Sequence, residues 1–110
     1  MIDWNRIAEL RDEIGAEDFA DVVALFLEEV SGVVARLRNN AVRAELANDL
    51  HFLKGSAMNL GFRRFAEMCQ EGENEAECGR ADSVDVVRIL ACYDDSQAAF
   101  MAGLEDRLPP

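Results

Sequence analysis

A chain of 110 residues with 22 acidic against 11 basic side chains, and a formal charge of −11 at pH 7, is long enough for one core but not for a second domain beside it. That acidity argues against nucleic acid and against an anionic membrane surface as partners, since both reward net positive charge; solubility is its plain meaning. Apolar runs are only a few residues long and the first residues lack the basic and apolar regions of a signal peptide, so the reading is a single cytoplasmic domain over residues 1–110 with no membrane span.

Half of the residues are hydrophobic, Pro occurs only as Pro109 and Pro110, and Gly is sparse, so little punctuates helices and the class is all-α. Asp3 is the expected N-cap of a short first helix carrying Trp4, Ile7, Leu10 and Ile14, interrupted at Gly15. A second helix from Ala16 to Arg38 places Phe19, Val22, Val23, Phe26, Val30, Val33, Val34 and Leu37 at helical spacing, with Leu25 off that stripe and exposed. Asn39 and Asn40 supply the break, by left-handed backbone and by capping the next helix, and so short a turn predicts antiparallel neighbours.

The third helix is expected from Ala41 to Leu60, with Val42, Leu46, Leu50, Leu53, Ala57 and Leu60 as its apolar stripe and Gly61 at its end. A fourth follows through Phe62, Phe65, Met68, Cys69 and Ala76, weakened by Gly72, where Gly costs ~1 kcal/mol relative to Ala. Residues 78–83 read as a loop ending in an N-cap. A last helix to Leu108 carries Val86, Leu90, Tyr93, Phe100, Met101, Leu104 and Leu108 on one face. Four substantial helices after a short one, with short connections, predict an up-down-up-down antiparallel bundle.

His51, the chain's single histidine, projects roughly 150° away from the middle of the third helix's apolar stripe at ~100° per residue. Lys54 and Gly55 stand one turn along from it. A neutral imidazole is a competent nucleophile, and on the outside of a rigid helix it is reachable by a partner's site. Lys54 places positive charge where a phosphoryl group would carry its oxygens, and Gly55 lets another surface come close. Hydrolytic catalysis would need a walled pocket and an orienting acid, and no Ser-His-Asp set, Gly-rich phosphate loop or His-x-x-x-His pair is visible. Cys69, Cys78 and Cys92 form no Cys-x-x-Cys pair, which fits reduced thiols, and a metal site joining His51 to Cys69 or Cys78 is disfavoured because His51's helix offers no second ligand one turn away.

The run His51-Phe52-Leu53-Lys54-Gly55-Ser56-Ala57-Met58-Asn59-Leu60-Gly61 resembles the signature of histidine-containing phosphotransfer (HPt) domains of multistep two-component signalling, and the chain has that family's length and helix order. The resemblance implies that His51 accepts a phosphoryl group from a receiver-domain aspartyl phosphate and passes it to an aspartate on another receiver. Lys54 then matches the lysine that assists phosphoryl binding, Gly55 the glycine that admits the receiver, and Gly61 the glycine that closes the motif. The partners implied are response-regulator receiver domains, that of a hybrid histidine kinase among the candidates. No cofactor of the chain's own is implied, Mg²⁺ belonging to the receiver.

Family docking surfaces are apolar and surround the histidine, which nominates Ile14, Val22, Leu25, Phe52 and Met58; core packing explains Ile14 and Val22 equally well. Some family members set a Gln of the next helix against the imidazole, where this chain has Glu73. A carboxylate there would orient the ring and repel its phosphorylated form, though a Glu73 pointing into solvent is the plainer expectation. The alternative to a carrier is a helical adaptor, or pseudo-phosphotransfer module, that binds receiver or kinase partners without being phosphorylated.

Overall fold

Local sequence rules account for the first two helices of the computed structural model, which describes residues 2–107, the side chains of 105–107 excepted. Helix α1 (Trp4–Ile14) starts where the Asp3 carboxylate accepts the Arg6 N–H, and stops at Gly15, whose φ of 87° no ordinary side chain favours. Helix α2 (Ala16–Asn39) runs one residue beyond the expected end. Asn40 is extended, at φ −160°, so the predicted left-handed Asn is not used.

Helix α3 (Leu46–Asn59) begins five residues later than the periodicity predicts. A 3-10 turn at Arg43–Glu45 takes the place of its first turn. The cause is tertiary: the Arg43 guanidinium donates to the Ala81 and Val84 carbonyls at 3.1 and 3.0 Å, pinning this segment to the connection between the last two helices. Val42 is consequently extended and 41% exposed rather than part of the apolar stripe.

Gly61 (φ 73°) turns the chain into α4 (Arg63–Glu75). The N-terminal segment straps this turn, with Ile2 bridged to Phe62 and the Asp3 N–H donating to the Gly61 carbonyl at 2.7 Å. Gly72 serves packing, for a Cβ there would meet Leu50 Cδ1 at 2.8 Å and Ile89 Cδ1 at 3.0 Å. Its lost helix propensity therefore buys the close approach of α3, α4 and α5.

Residues 78–83, expected as a loop, instead belong to a widened turn, Ala76–Arg80, kinked at Gly79, and a following 3-10 turn, Ala81–Ser83. The cap of α5 (Val86–Arg107) is Asp85, which accepts the Arg88 N–H at 3.0 Å, rather than Ser83. Val86, Leu90, Tyr93 and Phe100 are buried as expected, Leu104 is half-buried, and Met101 points away, 50% exposed. Leu108 lies outside the described residues.

Among the described residues the secondary structure is all-helical apart from the Ile2–Phe62 bridge, with an aromatic centre of Phe62, Phe65, Tyr93 and Phe100. Phe62 and Phe100 meet edge to face at 5.3 Å between ring centroids, and Trp4 stacks on Phe100 at 6.0 Å. Trp4 also covers Gly103, where a Cβ would overlap the indole. Each such ring contributes on the order of 1.5–3 kcal/mol by leaving water.

The three cysteines are free; Cys69 and Cys92 are buried and Cys78 is exposed. Burial pushes the Cys69 thiol up to about 12. A thiol reagent is expected to titrate Cys78 alone in the native protein and all three thiols after denaturation, since the thiolate is the reactive form. Rapid labelling of Cys69 in the native state would contradict this packing.

Candidate functional site

The close packing of α3 on α4 brings His51, Lys54, Gln70 and Glu73 together. His51 stands on the second turn of α3 with its side chain 68% exposed, and its Nδ1 lies 3.0 Å from Glu73 Oε2. Glu73 itself is only 6% exposed, contrary to the expectation that it points into solvent. Gly72, beside it, is the physical reason, because the helix approach that Gly72 permits carries the adjacent carboxylate under the imidazole.

Lys54 Nζ donates to Gln70 Oε1 at 2.8 Å and lies 3.3 Å from Glu73 Oε1. Glu73 Oε1 is sealed from solvent, and its contact with Lys54 is one of charge without hydrogen-bond alignment. Gln70 Nε2 in turn donates to Asn74 Oδ1 at 2.8 Å. Sequence reasoning passed over Gln70. The available signal was its spacing, three residues before Glu73 and so on the same helix face.

Burial pushes the Glu73 carboxyl up, but the hydrogen bond from His51 and the adjacent Lys54 ammonium outweigh it and hold the group below its ordinary value. A carboxylate can only accept, so in the neutral ring Nδ1 carries the proton and donates to Glu73. The lone pair is thereby assigned to Nε2, the ring nitrogen away from Glu73. The arrangement is an exposed, oriented imidazole with an ammonium one helical turn away.

Gly55 is exposed, and a Cβ there would meet nothing within 4 Å, so its missing side chain serves no contact inside the molecule. Leu25, Phe52 and Met58 are 55%, 41% and 60% exposed. Ile14 instead packs against the core, and Val22 is half-buried. Met58 shares with Lys54, Gln70, Arg6, Arg63 and Glu67 a groove of about 660 Å³ between α1, α3 and α4. Among the described residues, no group of three or more His, Cys, Asp or Glu side chains is placed to share a metal ion.

The Hpt domain family model matches residues 21–99, more than two thirds of the chain, from α2 into α5 and across the whole His51 cluster. The chain belongs to the Hpt domain family. Hpt domains are phosphocarrier modules of two-component phosphorelays that interact with receiver domains and are not catalysts in their own right. No curated protein and no solved structure matches the chain. Among the described residues no helix is long and apolar enough to cross a membrane.

Proposed function

We propose that this protein is a phosphocarrier whose acceptor is Nε2 of His51, loaded by the aspartyl phosphate of one receiver domain and unloaded onto the aspartate of another. The observation that carries the reading is the bond from His51 Nδ1 to the buried Glu73 carboxylate, which orients an exposed ring with Nε2 as its free nucleophile. In the loading step the Nε2 lone pair attacks phosphorus, the N–P bond forms, the P–O bond of the acyl phosphate breaks, and the receiver's carboxylate departs with the electron pair. The ring keeps its Nδ1 proton, and Glu73 balances the positive charge that develops there. Lys54 offers its ammonium to the phosphoryl oxygens. Mg²⁺, held by the receiver, supplies charge neutralisation at the acyl phosphate, and no cofactor of this chain is needed.

The proposed docking face is Gly55 with the exposed Leu25, Phe52 and Met58, while Ile14, packed against the core, and the half-buried Val22 are left to packing. In this reading residues 1–110 are one domain, with α2 to α5 as an up-down-up-down antiparallel bundle and α1 as an added short helix. The closed cycle of helix contacts, α2 with α3, α3 with α4, α4 with α5 and α5 with α2, supports that arrangement. Three free cysteines are in keeping with work in the reducing cytoplasm. A receiver of a hybrid histidine kinase is one candidate donor.

Incubation with a phosphorylated cognate receiver is expected to give acid-labile phosphate on the wild type and none on His51→Gln. Equal labelling of both would overturn the assignment. If neither is labelled while both still bind the receiver, the protein is an adaptor and the carrier reading fails.

A further inference from the structure

Lys54 is the cation the proposed chemistry relies on, yet its stem is long and a carboxylate lies beside it. Glu73 Oε1, 3.3 Å away, already pairs with the ammonium, and without another partner the ammonium would close further onto it and away from the phosphoryl position. The structure holds it differently. Gln70 Oε1 takes one N–H of Lys54 at 2.8 Å, and the Lys54 side chain is 21% exposed. Because an ammonium only donates, the Gln70 group facing it must be the oxygen. The amide nitrogen is then free to donate to Asn74 Oδ1, as it does at 2.8 Å. Glu73 and Asn74 lie one turn on from Gln70 along α4, so the geometry rests on helix backbone.

We propose that Gln70 is a positioning residue for Lys54: a neutral acceptor that fixes the ammonium on α4 without neutralising it, leaving an N–H for a phosphoryl oxygen on His51. A second carboxylate or an apolar residue at this position would fail for different reasons. The first would cancel the charge; the second would release it to Glu73 or to solvent. This inference rests on the phosphocarrier reading and deepens it.

The test needs no receiver. Potassium phosphoramidate serves as donor to the full chain: Nε2 attacks phosphorus, the N–P bond to His51 forms, the bond from phosphorus to the donor's protonated nitrogen breaks, and ammonia leaves with that bond's electron pair while the ring keeps its Nδ1 proton. The half-life of the resulting phosphohistidine is then followed. Gln70→Leu and Gln70→Asn, whose amide stops one methylene short, are expected to shorten it by roughly three- to tenfold, the size of a coupling between touching residues. Gln70→Glu is expected to shorten it as well, although it accepts the same hydrogen bond. In a Lys54→Met background none of the three should have a further effect, a result that a merely structural role of Gln70 would not produce.

An unchanged half-life in Gln70→Leu overturns the inference while leaving His51 as acceptor. So does an effect of equal size in the Lys54→Met background, or a Gln70→Glu variant that behaves as wild type. Absence of acid-labile phosphate from wild-type His51 overturns the carrier reading, and this inference with it.

Discussion

Glu73→Gln is expected to slow phosphoryl uptake by His51 by about ten- to a hundredfold, while lengthening the life of the phosphohistidine once formed. Both effects follow from one bond. During attack the ring becomes cationic, and a carboxylate on Nδ1 stabilises that charge far better than an amide; about 1.4 kcal/mol in the barrier is tenfold in rate. After transfer the same carboxylate holds the proton on Nδ1, so the ring leaves phosphorus as a neutral imidazole, and it also repels the phosphoryl oxygens. An amide relaxes both pressures. Time courses with a phosphorylated receiver give the first quantity, and decay of isolated phosphoprotein the second. A variant that loads at the wild-type rate would show that Glu73 takes no part in the chemistry.

The same substitution carries a stability signature. A carboxylate held below its ordinary value stabilises the fold above the unfolded value, near 4.5, and loses that contribution as pH falls through the lower folded value. Acid unfolding of the wild type is therefore expected to include a loss below about pH 4.5 that Glu73→Gln lacks.

Gly61→Ala should be the costliest change of a single methyl group in the motif. Its φ of 73° is left-handed, which costs an L-residue roughly 1–2 kcal/mol. The new Cβ would also stand 2.6 Å from the Asp3 carbonyl oxygen, a backbone atom held there by the strap between the N-terminal segment and the turn. Backbone cannot swing aside as a side chain does, so about 2–4 kcal/mol is expected in all, within the range for strain at a special backbone position. Urea denaturation should show the midpoint fall with an unchanged slope. A midpoint shift of less than that produced by 1 kcal/mol would mean that the strap yields freely. By contrast, Gly55 has ordinary helical backbone and open space where its Cβ would be, so the two glycines of one motif have opposite physical reasons for being there.

Much of this architecture is legible in the sequence. Asp3, Gly15 and Gly61 mark helix ends by local chemistry, and the exposure of His51 and Leu25 follows from 3.6-residue periodicity. What periodicity missed was set by distant partners. The late start of α3 depends on carbonyls 38 and 41 residues beyond Arg43. Glu73 read as solvent-facing because a charged residue after a glycine has no local mark of burial, and only the approach of Leu50 and Ile89 over Gly72 puts it under His51. Gln70 was invisible for the same reason, its partner being on another helix. Met101 kept helical spacing with Phe100 and Leu104 nearby, yet faces a shallow groove shared with α2 rather than the core.

The chain's single tryptophan sits where Trp4 of α1 stacks on Phe100 and fills the space over Gly103 of α5. Tyr93, hydrogen-bonded to Ser31 at 3.0 Å, belongs to the central core. Intrinsic emission is thus a built-in gauge of one junction: indole fluorescence reports whether α1 is seated on α5. Detachment of that short helix can be followed optically, without a label, while the far-ultraviolet signal follows the helices as a whole.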